Sequence, residues 1–327
     1  MTYSRLASPY QTQAVLDRFG LAAKHRLGQN FLVDDAVIGR ILGLAELGPT
    51  DVVLEVGPGI GTLTVALLPR ARAVVAVEAD PSLAPVLAET CADDSERLAL
   101  VVGDALRVAP EELAVAAAGA AGVPAGESAP TKLVSNLPYQ VAATVILRLL
   151  GAMPSLGRAV VMVQAEVADR ICAEPGTRAY GAYTAKLALL ARPTGRFEVG
   201  PQSFRPAPHV DSAVVRLDRA PARDPATGAP LDDARVARVA RVVDAAFSQR
   251  RKKLANSLAA GLRAGGAGRG DGGAGAAGGA AAPMGKPQVV AALETCGIDP
   301  GCRAETLSPA DFVRLEAALA EVCEGAA

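Results

Sequence analysis

At 327 residues and 33.2 kDa the chain is long enough for about two domains, each able to bury a core. Half of its residues are hydrophobic and 20% are charged, which excludes a mainly disordered chain, and the net charge of -1 excludes an overall polycation. Five scattered cysteines without a CxxC pair fit reduced thiols better than a disulfide framework, and with two histidines they leave a zinc site short of ligands, so no metal is expected.

The N-terminus, Met1 to Arg5, lacks a basic region followed by an apolar core and a small-residue cleavage site, so a cytoplasmic protein is expected. The mean hydropathy of +0.26 comes from Ala and Val. The charge-free stretches at 113–126, 133–147 and 272–285 are interrupted by Gly, Pro or polar residues, and none reaches the ~18 apolar residues of a membrane span.

From residue 51 to 163, short Val-rich runs alternate with helix-like stretches, the pattern of an α/β fold with a parallel sheet wrapped by helices. Strands are predicted at 52–56, 73–77, 98–102, 132–135 and 159–163, and a later strand at 213–217 is expected to close the sheet. The first four are followed by Gly57, Glu78, Asp104 and Asn136. In open α/β sheets ligands lie beyond the carboxyl ends of the strands, so these four positions are candidate site residues.

The segment 220–231, with Pro221, Pro225, Gly228 and Pro230, reads as a linker. It divides a first domain, 1–220, from a second, mainly helical domain, 221–327, in which Val236, Val239, Val243 and Phe247 keep helical spacing. Within the second, seventeen of the twenty residues from Ala264 to Pro283 are Gly or Ala, and a flexible insertion is expected there. From Arg235 to Arg263, eight Lys and Arg face one acid, Asp244, so a neutral chain carries one locally basic segment.

Glu55-Val56-Gly57-Pro58-Gly59-Ile60-Gly61 follows the first main strand and leads into a helix expected near Thr62. Glycines there permit a tight turn and close approach of backbone to a ligand, although a plain βα turn has the same composition. A dinucleotide site wants Gly-x-Gly-x-x-Gly, and here the third glycine comes one residue early. An acid two positions before Gly-x-Gly-x-Gly instead resembles the S-adenosylmethionine (SAM) loop of Rossmann-like methyltransferases, with NAD as the alternative cofactor. In that register Glu78 can accept hydrogen bonds from both ribose hydroxyls, rather than being a plain surface acid. Asp104 is placed to meet the adenine amino group, or else serves as a cap or turn residue.

Asn136-Leu137-Pro138-Tyr139 points to chemistry on a nucleobase. An exocyclic amino group is a poor nucleophile because its lone pair is delocalised into the ring. Hydrogen bonds from that group to the Asn136 side-chain oxygen and to a backbone carbonyl held by Leu137-Pro138 favour a pyramidal, nucleophilic nitrogen, and Tyr139 can stack on the base. An ordinary turn with Tyr as core filler is the competing account.

Taken in order, the segment 24–32 (Lys24 to Leu32, including Arg26 and Asn30), the glycine loop, Asn136 to Tyr139, Phe204 to Val215 and Phe247 to Lys252 resemble the ribosomal RNA adenine N6,N6-dimethyltransferase family. The likeness runs over roughly residues 20–260 and resumes near Met284. It implies a Rossmann-like SAM-dependent methyltransferase domain with a smaller helical domain used in RNA docking. It also implies a SAM pocket lined by Asn30, Leu32, Glu55, Gly57, Gly59, Gly61, Glu78, Asp104 and Asn136. Phe204, otherwise a core anchor, is expected on the face of the target adenine opposite Tyr139. The basic run Arg250-Arg251-Lys252-Lys253 is expected to contact RNA phosphates, with Lys24 and Arg26 contributing from across the cleft. The implied substrate is a pair of adjacent adenines in the 3′-terminal hairpin of 16S rRNA within an assembling 30S particle, modified by a monomer.

Three alternatives stay open at this point. A large-subunit rRNA methyltransferase of the macrolide-resistance type shares fold and chemistry, but Leu137 stands where Ile is expected in that group. A non-catalytic assembly or RNA-binding factor is opposed by the intact glycine loop and Asn136 to Tyr139. An NAD-dependent oxidoreductase is opposed by Thr62 and by the absence of an evident hydride-transfer acid. The Gly/Ala-rich stretch at 264–283 is a departure that the family pattern does not predict.

Overall fold

A computed structural model describes residues 2–22, 29–122, 128–265 and 284–324. Lys24, Arg26 and all but the first two residues of the predicted insertion at 264–283 lie outside the described residues. The chain forms two compact units.

The first unit spans residues up to 168 together with 192–219. Helix α1 (Pro9–Arg18) begins where Ser8 Oγ accepts the Gln11 amide at 3.2 Å, with Pro9 at its first position. The two-residue strand β1 (Phe31–Leu32) precedes α2 (Asp35–Ala45). Asp34 caps α2 through the amides of Ala36 and Val37, and its other oxygen accepts from Ser203 Oγ at 2.9 Å. Val37, Ile38, Ile41, Leu42 and Ala45 recur at helical spacing and form the buried face of α2.

Strands β2 (Val52–Val56), β3 (Ala73–Glu78), β4 (Leu98–Val102), β5 (Lys132–Asn136) and β6 (Arg158–Gln164) are parallel, in the spatial order β4-β3-β2-β5-β6. Helices α3 (Thr64–Leu67), α4 (Ala84–Thr90), α5 (Pro110–Ala121), α6 (Ala142–Ala152) and α7 (Ala165–Ile171) connect or follow them. Every residue of β2 and β3 is buried, as expected of strands covered on both faces. The helix expected at Thr62 begins at Thr64 and is only four residues long.

The sheet differs from the sequence expectation at its far edge. Beyond β6 lies β9 (Ser212–Arg219), antiparallel to it, and then β7 (Ala191–Val199); the short strand β8 (Phe204–Arg205) pairs with β1. The 213–217 strand is therefore interior, and β7 closes the sheet. Its middle is exposed and carries Pro193, Gly195 and charged residues, a composition suited to an edge and without apolar alternation.

The chain moves outward from β2 to β3 and β4 on one side and to β5 and β6 on the other, so the order reverses between β2 and β5. Their pairing covers Val53 with Lys132 and Leu54 with Leu133. Further along, Ser135 Oγ replaces the ladder: it donates to Val56 O at 2.5 Å and accepts from Val56 N at 3.3 Å. The strands thus part at their carboxyl ends, where a ligand crevice is expected.

The second unit comprises 169–191 and the residues from 220 onward. It contains α8 (Ala182–Leu187), α9 (Asp233–Phe247), α10 (Leu254–Gly265), α11 (Lys286–Thr295) and α12 (Pro309–Glu324). Residues 169–191, which the sequence boundary near 220 assigns to the first domain, contribute Tyr180, Ala185 and Leu189 to a core with Val239, Val243, Leu258, Leu293 and Phe312. Tyr180 also donates from its hydroxyl to Leu307 O at 2.8 Å. At Gly261 a Cβ would lie 2.4 Å from Ala245 Cα, so α9 and α10 cross in backbone contact that no larger residue permits. All five cysteines are free thiols, and no described helix is long and apolar enough to cross a membrane.

Candidate active site

The crevice between β2 and β5 opens into a cavity lined by four segments: Gln29 to Leu32, the loop after β2, the ends of β3 and β4, and the turn after β5. It brings together Asn30, Leu32, Glu55, Gly57, Gly59, Glu78, Asp104 and Asn136 to Tyr139, which lie far apart in sequence. Gly61 and Phe204 are not among its lining residues.

The glycine loop owes its path to left-handed backbone at Gly57 (φ 69°), Gly59 (φ 62°) and Gly61 (φ 88°). A Cβ on Gly61 would also stand 2.9 Å from Thr90 Oγ1, so Gly61 acts beneath the loop and not on the cavity wall. A Cβ on Gly57 would come within 3.3 Å of the Pro138 ring, so the loop after β2 and the turn after β5 rest on each other.

Two carboxyls support this loop. Glu78, 5% exposed, accepts the Gly59 amide at 3.2 Å and the Asp80 amide at 2.8 Å. Burial raises its affinity for a proton, and those two amides oppose the rise. Glu55, 1% exposed, has no hydrogen-bond partner for Oε2 among the described residues. Burial pushes its carboxyl up to about 8; the Thr64 hydroxyl opposes part of this and the Glu78 charge adds to it. Thr62 Oγ1, also on the cavity wall, is buried without a partner among the described residues.

Asp104 is about half exposed, with Oδ1 accepting the Leu106 amide at 2.9 Å, so it is a turn residue that also faces the cavity. Asn136 Nδ2 donates to Asn30 O at 3.3 Å, which leaves Oδ1 as the amide's acceptor. Leu137 is buried, and its amide donates to Met162 O at 3.1 Å, anchoring the turn on β6. The hydroxyls of Tyr139 and Ser212, the first residue of β9, lie 2.5 Å apart and fix the tyrosine ring. Burial raises the affinity of the Tyr139 hydroxyl for its proton, with the Ser212 contact opposing.

Two of the expected site residues have other partners in the structure. Phe204 is 4% exposed and belongs to one buried cluster with Val37, Ile38, Ile41 and Leu32, and its ring anchors the β1-β8 pair. The run Arg250 to Lys253 lies in the turn between α9 and α10, and its first member is committed: Arg250 Nη2 donates to Arg178 O at 2.5 Å, and its Nε lies 3.6 Å from Glu305. Arg251, Lys252 and Lys253 are exposed. Arg235 and Arg238 are held by Glu316, and Arg235 also by Asp224, so the segment is less basic than its sequence suggests.

Sequence reading missed Ser135, Ser212 and the positive part Thr62 plays in the cavity wall. A serine within or at the start of an apolar strand, as at 135 and 212, is the available signal, because its buried hydroxyl needs a backbone or side-chain partner. Among the described residues no group of His, Cys, Asp and Glu is arranged to hold a metal ion.

Comparison with known proteins adds an independent line. The family model described as ribosomal RNA adenine dimethylase matches residues 20–266. The ribosomal RNA small subunit methyltransferase A of Thermobifida fusca (strain YX) is 43% identical over 316 residues, covering 95% of this chain and 96% of that protein. The protein of the same name from Corynebacterium diphtheriae is 38% identical over 317 residues, covering 95% of each. Among solved structures, the 23S rRNA methyltransferase ErmE superposes with a TM-score of 0.59 at 27% identity, covering 89% of this chain and 100% of that one. A dimethyladenosine transferase from Plasmodium falciparum has a TM-score of 0.64 at 22% identity, covering 87% and 95%, a likeness of fold.

Proposed function

The chain belongs to the ribosomal RNA adenine dimethylase family, and on that premise we propose that it dimethylates N6 of two adjacent adenines in the 3′-terminal hairpin of 16S rRNA, within the assembling 30S particle. It is an rRNA adenine dimethyltransferase of α/β, Rossmann-like fold. The methyl donor in this reading is SAM. The observation that carries it is the close approach of the Gly57 backbone to the Pro138 ring, which leaves 3.3 Å between that ring and the place a Cβ would take and brings the glycine loop beside the Asn136–Tyr139 turn. The small-subunit relatives, at 36–43% identity, favour the 16S substrate over a 23S one.

The residues present fit SAM. The left-handed glycine path leaves room for close approach of a ligand, and the buried acceptor Glu55 Oε2 and the Thr62 hydroxyl await polar partners. Glu78 keeps lone pairs beyond those used by the Gly59 and Asp80 amides, enough to accept from ribose hydroxyls. Asp104 holds the adenine amino group, and Asn30 and Leu32 close the pocket along β1. When bound, SAM supplies a methyl carbon made electrophilic by the adjoining sulfonium.

The chain's own contribution is orientation and hydrogen bonding. Asn136 Oδ1 accepts one N–H of the target amino group, and a backbone carbonyl of the turn accepts the other, drawing the lone pair out of the ring. Tyr139, its hydroxyl tied to Ser212, offers a ring of fixed plane for the base to stack upon. Stacking is assigned first to Tyr139, because Phe204 is buried beside β1. No covalent enzyme intermediate and no strong base is required, because the methylated nitrogen becomes acidic and loses its proton to water. Exposed Arg251, Lys252 and Lys253 contact RNA phosphates, joined by Lys24 and Arg26. The enzyme works as a monomer in the cytoplasm.

The test is transfer of labelled methyl groups from SAM to undermethylated 30S particles, with 50S subunits and naked RNA as controls, followed by mapping of the modified bases. Dimethyladenine at the two adjacent hairpin adenines is the expected result. Label confined to large-subunit RNA would overturn the substrate assignment, and binding of RNA without any transfer would favour an assembly factor.

A further inference from the structure

Glu55 combines three features that the fold alone does not require. It is the penultimate residue of a wholly buried strand, it lines the cavity, and its Oε2 has no hydrogen-bond partner among the described residues. A carboxylate so placed lacks solvation, and the charged groups around it do not compensate. Glu78, from β3, brings a second negative charge. Cys91, at the end of α4, is pushed by burial up to about 11 and stays a neutral thiol. Thr62 and Thr64 contribute hydroxyls without charge. Among the described residues no cation acts on Glu55.

Resting on the reading of this cavity as a SAM site, we propose that Glu55 is a charge-sensing residue: it holds its proton in the unliganded enzyme and releases it to solvent when a cationic ligand enters the pocket. The carboxyl thereby becomes a carboxylate only when a positive charge is present to balance it. This gives the pocket a preference for the sulfonium form of the cofactor over its neutral thioether product, which lacks that charge, and so favours exchange of product for fresh donor. The raised proton affinity that burial gives Glu55 agrees with this geometry.

The experiment is calorimetric titration of the wild-type enzyme with SAM, and separately with the thioether product, in buffers of different ionisation enthalpy. It is done between about pH 5.5 and 7, below the range in which the ligand's own α-amino group titrates. Release of close to one proton per SAM bound is expected, with less for the product, and the Kd for SAM should fall several-fold per pH unit. In Glu55→Gln the proton release should disappear and the Kd should become flat with pH. SAM binding with no proton released overturns the proposal while leaving the SAM reading intact. Proton release that survives in Glu55→Gln also overturns it and moves the proton to Glu78. Absence of any SAM binding by the wild type would refute the SAM reading and the proposal with it. The wild-type proton count decides the matter even if the variant fails to fold.

Discussion

Ser135→Ala perturbs the seam at which the site opens. In a strand the N–H and C=O of one residue point to the same neighbour, and both groups of Val56 point at Ser135 Oγ, the N–H at 3.3 Å and the carbonyl at 2.5 Å. Ser135 is 1% exposed and Val56 4%, so water has no ready access. Removing the hydroxyl leaves a buried donor and a buried acceptor unpaired, at about 1–3 kcal/mol each, for a total of about 2–6 kcal/mol. Chemical denaturation followed in the first unit should show that loss. Hydrogen exchange at the Val56 amide gives a local readout, because a 2 kcal/mol drop in opening energy accelerates exchange by about 30-fold. SAM affinity should fall as well, since Val56 leads directly into Gly57. A stability loss below about 0.5 kcal/mol with unchanged protection of Val56 would show that the strands close without the serine, and the account of the crevice would be wrong.

Asn136→Ala should abolish methyl transfer while RNA binding persists; near-normal rates in that variant would remove hydrogen-bond polarisation from the mechanism. Phe204→Ala should cost about 3–5 kcal/mol of stability, as expected for a truncated core aromatic, whereas Phe204→Leu should retain transfer. Loss of transfer in the Leu variant at full stability would restore a stacking role for this ring. Replacing Arg251, Lys252 and Lys253 by Gln should weaken RNA binding and make its salt dependence shallower, and an unchanged slope of log K against log salt would take the turn out of the interface. Glu55 carries its proton more tightly folded than unfolded, so its contribution to the stability of the unliganded enzyme is complete below about pH 4.5 and is lost as the pH rises to about 8. The loss at the upper end is on the order of 5 kcal/mol for this fully buried group, and Glu55→Gln should be the more stable protein at about pH 9 without ligand. Parallel stability curves for the two proteins would contradict that assignment.

The parallel core of the sheet was legible because double burial writes continuous Val, Leu and Ala runs into β2 and β3, which no helix period reproduces. Strand β7 was not, because an edge strand with an exposed middle carries no such pattern. The cavity residues were legible as positions following strand ends, a rule of topology that needs no coordinates. What escaped was the partner of each group. A run of four basic residues looks uniform in sequence, yet the carbonyls of Arg178 and Tyr180 and the Glu305 carboxylate occupy Arg250. Phe204 offers the same lesson in apolar form: a phenylalanine beside Pro206 and Pro208 suits either a loop tip or a core anchor, and only the β1-β8 pairing decides for the anchor.

Strand β5 supports both sides of the cavity with consecutive residues. Ser135 sets the separation of β5 from β2 and hence the position of the glycine loop, while Asn136 faces the cavity and holds Asn30 by its amide. Pro138 then returns to rest against Gly57. In the proposed reading the donor and acceptor sites share this one support, so a displacement of β5 by a few tenths of an ångström should move the turn and the loop together. A reaction that depends on alignment across about 3 Å gains from such shared support, since errors in register between two independent loops would erode the rate steeply. Widening one contact alone, at Gly57 or at Pro138, should then damage transfer more than it damages the binding of either substrate.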